Sequence, residues 1–261
     1  MNLFRQAFKE SWRGLIGWSL GVAAAVLLYI PFYPSIGGSE LAETMSAIFP
    51  PEVSDLFGLD RMGDGAGYVQ ASYFGLTGFL LLAIAAIGWG TGALARPEED
   101  GSLELTLAHG VTRWQVVLEG ALALLARLAV LAAVGSLLIM ALDGPAGLDL
   151  NAFNLWAATA ALFLLAALAG LAALAAGAIS GRAPVATGTG AFIAVAAYVL
   201  DAVAGIAGEP WLANLSPYHW AFGQDPISTG FDGTGLALLA AACFLAVAVG
   251  GIRFSRRDVG V

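Results

Sequence analysis

LWAATAALFLLAALAGLAALAAGAIS, residues 155–180, contains no charged side chain from its first leucine to its last serine. As a helix rising about 1.5 Å per residue, such a run is long enough to cross the ~30 Å hydrocarbon core of a bilayer. Read outward from it, the chain yields six apolar runs: Gly14–Phe32, Ser72–Leu94, Leu118–Leu142, Ala152–Ile179, Pro184–Ile206 and Gly235–Ile252. Composition agrees. Of 261 residues, 59% are hydrophobic and 11% charged, against roughly a quarter charged in soluble domains. The fold class expected is an all-α integral membrane protein with six transmembrane helices, forming a single domain over 1–261.

The basic residues set its orientation. If the spans alternate, Arg5, Lys9, Arg13, Arg96, Arg113, Arg182, Arg253, Arg256 and Arg257 fall on one side and only Arg61 on the other. Positive charge stays cytoplasmic, so both termini are expected inside, in a multi-pass protein of the cell membrane. Tryptophans fall near both ends of the spans: Trp12, Trp18, Trp89 and Trp114 on the inner side, Trp156, Trp211 and Trp220 on the outer. The net charge of −8 comes largely from the outer loops, which argues against nucleic acid as a partner there. Cys243, the single cysteine, cannot form an intrachain disulfide. The first apolar run is too long for a signal-peptide core and is kept as a span.

Between the spans the sequence changes character. Residues 1–13 read as an interfacial helix, with Phe4, Phe8 and Trp12 beside a stripe of Arg5, Lys9 and Arg13 facing membrane lipids. SELAETMSAIFPPEVSDLFG (39–58) suggests an outer helix that Ser39 caps and Pro50–Pro51 end. Residues 207–232 alternate aromatics with Pro, Gly and Asn and read as a pair of short re-entrant helices, because such backbone tolerates membrane depth only when shielded. Glycines in GLTG and GWGTG of the second span, with the small residues of the fourth, mark packing seams rather than ligand sites. There is no internal repeat of the kind that marks many secondary transporters.

Several chemistries are missing. The chain has one lysine and no GxxxxGK[ST], hence no Walker A loop. His109 and His219 fall on opposite sides of the membrane, and no HExxH, Cys/His metal spacing or GxSxG occurs. Asp60 and Asp64 form an outer DxxxD, which leaves open a metal-dependent membrane transferase. Arg127 lies within the third span, where a charge costs roughly 2.5–3.5 kcal/mol on insertion scales. It must face the bundle interior, pair, or snorkel to the interface, and a functional role is one of these options.

The charged stretch between spans two and three, residues 96–113, is the most informative. Glu98, Glu99 and Asp100 precede SLELTLA, placing acids where a helix N-terminus favours them. Gly110 is placed to end that helix. The Leu-Glu-Leu-Thr-Leu alternation would also suit a strand, but a lone strand has no partner here. Thr112 and Gln115 then fit a capping box, with Val111 and Val116 as its staple. The expected product is a short helix bounded by fixed corners, which suits either a mechanical contact or a tidy turn.

At these residues the chain resembles a known family. EEDGSLELTLAHGVTRWQVVL (98–118) is similar to the cytoplasmic loop of ABC transporter permeases of the type-2 exporter class, which include multidrug and antibiotic exporters. There an E-x-G-[ST]-x-E-x-x-x-A-x-[PG]-[VI]-[ST]-R pattern forms the coupling helix that docks on the ATPase. Glu99, Gly101, Ser102, Glu104, Ala108, Gly110, Val111, Thr112 and Arg113 match it, and Gly110 stands where proline is usual. LSPYHW and DPISTGFD resemble the segment before that family's last span. The resemblance implies an exporter of a hydrophobic or amphipathic compound such as a drug, antibiotic or lipid. It also implies two copies of an ATP-binding subunit, and a second permease copy, identical or related. ATP and Mg would sit on the partner and no cofactor on this chain, which is then not itself an enzyme. The ATPase-contact residues it implies are Glu98, Glu99, Asp100, Ser102, Leu103, Glu104, Leu107, Gly110 and Arg113. A non-transporting scaffold or immunity protein is the remaining alternative.

Overall fold

Leucine and alanine fill the helix interiors, and short polar side chains mark where helices begin. Asn151 Oδ1 accepts the N–H groups of Phe153 (2.9 Å) and Asn154 (3.3 Å), and an Asp232 carboxylate oxygen accepts that of Thr234 (2.9 Å). Each thereby satisfies N–H groups that a helix start leaves without internal partners. A computed structural model describes residues 12–36, 63–108 and 110–257. Its elements are α1 (Trp12–Tyr29), a 3-10 turn (Ile30–Phe32), α2 (Tyr33–Ile36), α3 (Gly65–Val69), a π-helical turn (Gln70–Gly75) and α4 (Thr77–Glu99). They continue with α5 (Ser102–Ala108), α6 (Arg113–Ala146), α7 (Ala152–Ser180), α8 (Ala183–Ala207), α9 (Pro210–Ala213), α10 (Pro217–Phe222), α11 (Pro226–Thr229) and α12 (Gly233–Arg256).

No strand occurs among the described residues. Six helical stretches are long and apolar enough to cross a membrane: Trp12–Ser35, Gly65–Glu99, Arg113–Ala146, Ala152–Ser180, Ala183–Ala207 and Gly233–Arg256. Each contains the apolar run expected at its place and extends beyond it at one end or both. The chain is an all-α membrane protein.

α7 is the axis of the bundle. Of its most apolar window, 78% is buried, against 17%, 22% and 28% for the spans built on α1, α8 and α12. α4, α6, α8 and α12 surround it, and α1 packs on α6. Small residues permit this centre. A Cβ on Gly90 of α4 would overlap the carbonyl oxygen of Gly170 in α7, and one on Gly170 would lie 2.7 Å from the Ala86 Cβ. These contacts bring the two backbones together with no more than a methyl group between them, the close approach that drives association in lipid. Of the GWGTG glycines only Gly90 lies in the seam; Gly88 and Gly92 face open space. Hydroxyls bridge the helices at Thr91–Thr187 (3.1 Å) and Ser136–Thr159 (2.5 Å). Outside, α8 and α12 present bulky apolar groups such as Phe192 and Phe244, 70% and 76% exposed, as a lipid-facing surface requires.

The basic residues Arg96, Arg113, Arg182, Arg253 and Arg256 gather at one end of the bundle, hereafter the basic end, and Asp143, Asp149, Glu209, Asp225 and Asp232 lie at the other, the acidic end. At the acidic end three short helices, α9, α10 and α11, replace the expected pair. Pro210, Pro217 and Pro226 each stand at a first helical turn, where their missing N–H costs nothing. The buried Ser216 hydroxyl donates to the Ala197 carbonyl (2.7 Å) and accepts the Tyr218 and His219 N–H groups, fixing α10 to α8. Of the interfacial helix expected over 1–13, residues 1–11 lie outside the described residues, as do the outer helix expected within 39–58 and Asp60. Trp12 and Arg13 open α1, with the guanidinium 5.8 Å from the indole centroid.

Candidate functional site

The site is the cross-piece between the second and third spans. Gly101 (φ 75°) and Gly110 (φ 80°) turn the chain in the left-handed region, which glycine enters without steric cost. Asp100 caps the segment between them: its Oδ1 accepts the Ser102 N–H (3.0 Å) and hydroxyl (2.6 Å). Those donors hold its carboxyl below the usual carboxylate range. After the second corner, Gln115 Oε1 accepts the Thr112 N–H (2.9 Å) and Thr112 Oγ1 accepts the Gln115 N–H (3.2 Å), the reciprocal box that starts α6. α5 is thus a helix, not a strand, held by a defined corner at each end.

One expectation needs correction. Glu98 and Glu99 do not open α5; they occupy the last turn of α4, which continues through Pro97. Negative charge is unfavourable at a helix C-terminus, so both acids are paired elsewhere. Glu98 Oε2 accepts from Arg257 Nη2 at 2.5 Å, beyond the end of α12, with side chains 13% and 26% exposed. Glu99 Oε1 accepts the Ala183 N–H (2.8 Å) at the first turn of α8. Arg113, at the start of α6, donates through Nη1 to the carbonyls of Phe254 (3.0 Å) and Arg257. Both guanidinium groups lie over the buried Phe254 ring, Arg113 Cζ 5.6 Å and Arg257 Cζ 5.9 Å from its centroid. One knot therefore joins the ends of α4, α6, α8 and α12 around the base of α5.

α5 is two-faced. Leu103, 2% exposed, and Leu107 pack on the core, while Ser102, Glu104, Leu105 and Ala108 are exposed. Of the residues implied by resemblance, Glu99, Asp100, Ser102, Glu104 and Gly110 are at the surface, whereas Glu98, Leu103, Leu107 and Arg113 are turned toward the bundle and hold α5 in place. Sequence reasoning missed Leu105, 67% exposed. A helical reading at about 100° per residue would have placed it opposite Leu103 and Leu107. It also missed Phe254 and Arg257, whose partners are too distant in sequence to give any signal.

Arg127 faces the bundle interior, 8% exposed, with its guanidinium 5.6 Å from the Trp89 ring centroid. Trp89 packs against the core, so this tryptophan serves a buried cation rather than a belt at the interface. Asp64, half of the DxxxD pair, accepts the Gly67 N–H at 2.5 Å and caps α3, a structural use of that carboxylate.

The sequence profile of the ABC-2 family transporter proteins matches residues 1–259, nearly the entire chain. A search of curated proteins gave no match. Six apolar helices and a capped cross-helix between the second and third, within a full-length family match, lead to one assignment: the chain belongs to the ABC-2 family of transporters and is a multi-pass membrane permease.

Proposed function

We propose that the chain is the membrane subunit of an ATP-driven exporter that moves a hydrophobic or amphipathic compound, a drug, antibiotic or lipid, out across the cytoplasmic membrane. The basic end faces the cytoplasm, following the retention of positive charge there, so both termini and α5 lie inside. A separate ATP-binding subunit docks on α5, one for each of two permease copies, and ATP and Mg bind on that partner. The short helices α9 to α11 form the re-entrant outer segment.

The observation that carries this reading is the anchoring of α5. A docking helix transmits force only if it cannot swivel. Here a glycine corner stands beyond each end, one face is buried, and its roots are tied to four spans. Glu104 and Leu105 on the exposed face are the contacts assigned to the ATPase, an exposed leucine beside a charge being suited to a hydrophobic anchor with a polar rim. Coupling requires contacts that differ between inward-open and outward-open states.

The test is copurification with the ATPase subunit. Leu105→Asp with Glu104→Arg should abolish it while leaving thermal stability unchanged, since both side chains point outward. Loss of one interface anchor is worth about 2 kcal/mol, roughly thirtyfold in affinity. Undiminished binding, or full transport by the purified chain without nucleotide, overturns the assignment and favours the scaffold reading.

A further inference from the structure

The second span is not one regular helix. Between α3 and α4 the backbone takes a π-helical turn, Gln70–Gly75, the insertion of a residue into α-helical register. Two side chains on this turn are anomalous. Gln70 Oε1 and Tyr73 Oη are buried with no hydrogen-bond partner among the described residues. Tyr73 is 1% exposed, and its hydroxyl lies where only a glycine, Gly135 of α6, leaves room. Buried polar groups are costly without partners, so a second arrangement that supplies them is favoured to that extent.

At the end of the same turn, Tyr218 of α10 donates its hydroxyl to the Gly75 carbonyl at 2.6 Å. Tyr218 is 8% exposed. Its ring meets Phe79 of α4 edge-on at 5.8 Å and Tyr198 of α8 at 5.3 Å. The acidic-end helix α10, itself pinned to α8 through Ser216, therefore grips the second span where π register becomes α.

We infer that Gln70–Gly75 is a two-state register element latched in its π form by Tyr218, making Tyr218 a positioning residue for the transport cycle. Release of the Gly75 carbonyl lets the turn relax by one residue to α register. That slip rotates the α3 end by about 100° and moves it about 1.5 Å relative to α4, carrying Gln70 and Tyr73 to new surroundings. Its link to transport rests on the permease reading; the latch itself does not.

The decisive measurement is amide hydrogen exchange of the full chain in lipid nanodiscs, comparing wild type, Tyr218→Phe and a deletion of Ala71 that removes the extra residue. Tyr218→Phe keeps the ring and should accelerate exchange over 70–76 by about three- to tenfold, the effect of one lost hydrogen bond, with a melting temperature lowered by no more than about 4 °C and unchanged protection over 80–94. The deletion should raise protection over 70–76 toward that of α4, and Tyr218→Phe should then have no further effect. Unaltered exchange in Tyr218→Phe, or equal effects with and without the deletion, overturns the latch. Should the deletion fail to fold, Tyr218→Phe alone decides. With the ATPase subunit and a non-hydrolysable ATP analogue bound, exchange over 70–76 should change; a stable complex without that change refutes the role in transport, whereas absence of any complex refutes the proposed function and leaves the latch result standing.

Discussion

Neutralising Glu98 tests whether the knot behind α5 is a mechanical anchor. The carboxylate meets Arg257 at 2.5 Å, and both side chains are less than one-third exposed, so solvent screens the pair less than an ordinary surface ion pair. A charge-assisted hydrogen bond in such a place contributes about 1.5–3 kcal/mol, and Glu98→Gln keeps the shape while removing the charge. At roughly 2–4 °C per kcal/mol for a chain of this size class, a loss of about 2 kcal/mol lowers the melting temperature by about 4–8 °C. Arg257→Gln should cost a similar amount. Because each substitution breaks the same contact, the double variant should be little worse than either single one. The assay is a double-mutant cycle by thermal unfolding in one fixed detergent, with ATP turnover of the copurified complex measured in parallel. Stimulated turnover should fall in all three variants while docking through Leu105 persists. Additive losses, with a coupling below about 0.5 kcal/mol, would refute the anchor.

Other perturbations separate neighbouring effects. Gly90→Val inserts a side chain where the Gly170 carbonyl already touches the backbone; overpacking of this kind costs about 1–3 kcal/mol, read as a lower melting temperature and reduced membrane yield. Arg127→Ala removes the cation over Trp89, and tryptophan fluorescence should report the change in that indole's surroundings even where assembly is intact. Asp100→Asn, which keeps an acceptor but not the charge, should lose part of the exchange protection over 102–108, and Asp100→Ala should lose more. The Asp100 carboxyl is held below its ordinary value when folded. Its contribution is therefore complete above the unfolded value of about 3.9 and disappears as pH falls through the lower folded value, so α5 protection should be flat at neutral pH and drop only in acid. Gly181→Ala would set a Cβ 2.5 Å from Glu98 Oε1 and 2.7 Å from Arg257 Nη1 and add the strain of a left-handed backbone (φ 65°) at the end of α7, so it should lower the melting temperature more than Glu98→Gln without altering any charge.

Features written in local sequence were legible. The Thr112–Gln115 box depends on residues three apart, the Gly110 corner on one residue, and the span count on uninterrupted apolar length, so each could be read in place. For Arg127 the cost of lipid exposure left three placements open, and the structure selects the bundle interior. Features that depend on distant partners were not legible. Pro97 followed by three acids has the composition of a helix start, and only the Ala183 N–H and Arg257 explain why the chain tolerates Glu98 and Glu99 at a helix end. The π turn escaped notice because apolar residues on both sides of it preserve the composition of a span while breaking its period. The Leu-x-Leu-x-Leu alternation does not mark Leu105, because only the helical period, not the alternation, turns it away from Leu103 and Leu107.

The charges at the basic end follow a rule that no single helix explains. Glu98 and Glu99 close α4 with the sign that opposes its own dipole, and Arg113 opens α6 with the sign that opposes its own. Each is satisfied by a neighbour: Glu99 by the N-terminal N–H of α8, Glu98 by the cation after α12, and Arg113 by the last carbonyls of α12. An isolated α4 or α6 would be weakened by these residues, whereas the assembled bundle is held together by them. The arrangement therefore favours the helix ends meeting over the helices themselves. A displacement of α5 cannot be absorbed by bending at the ends of α4 or α6 without breaking charge-assisted bonds to α8 and α12. That makes the whole basic end respond to α5 as one body, and it places the compliance of the second span elsewhere, at the π turn on the opposite side of the bundle.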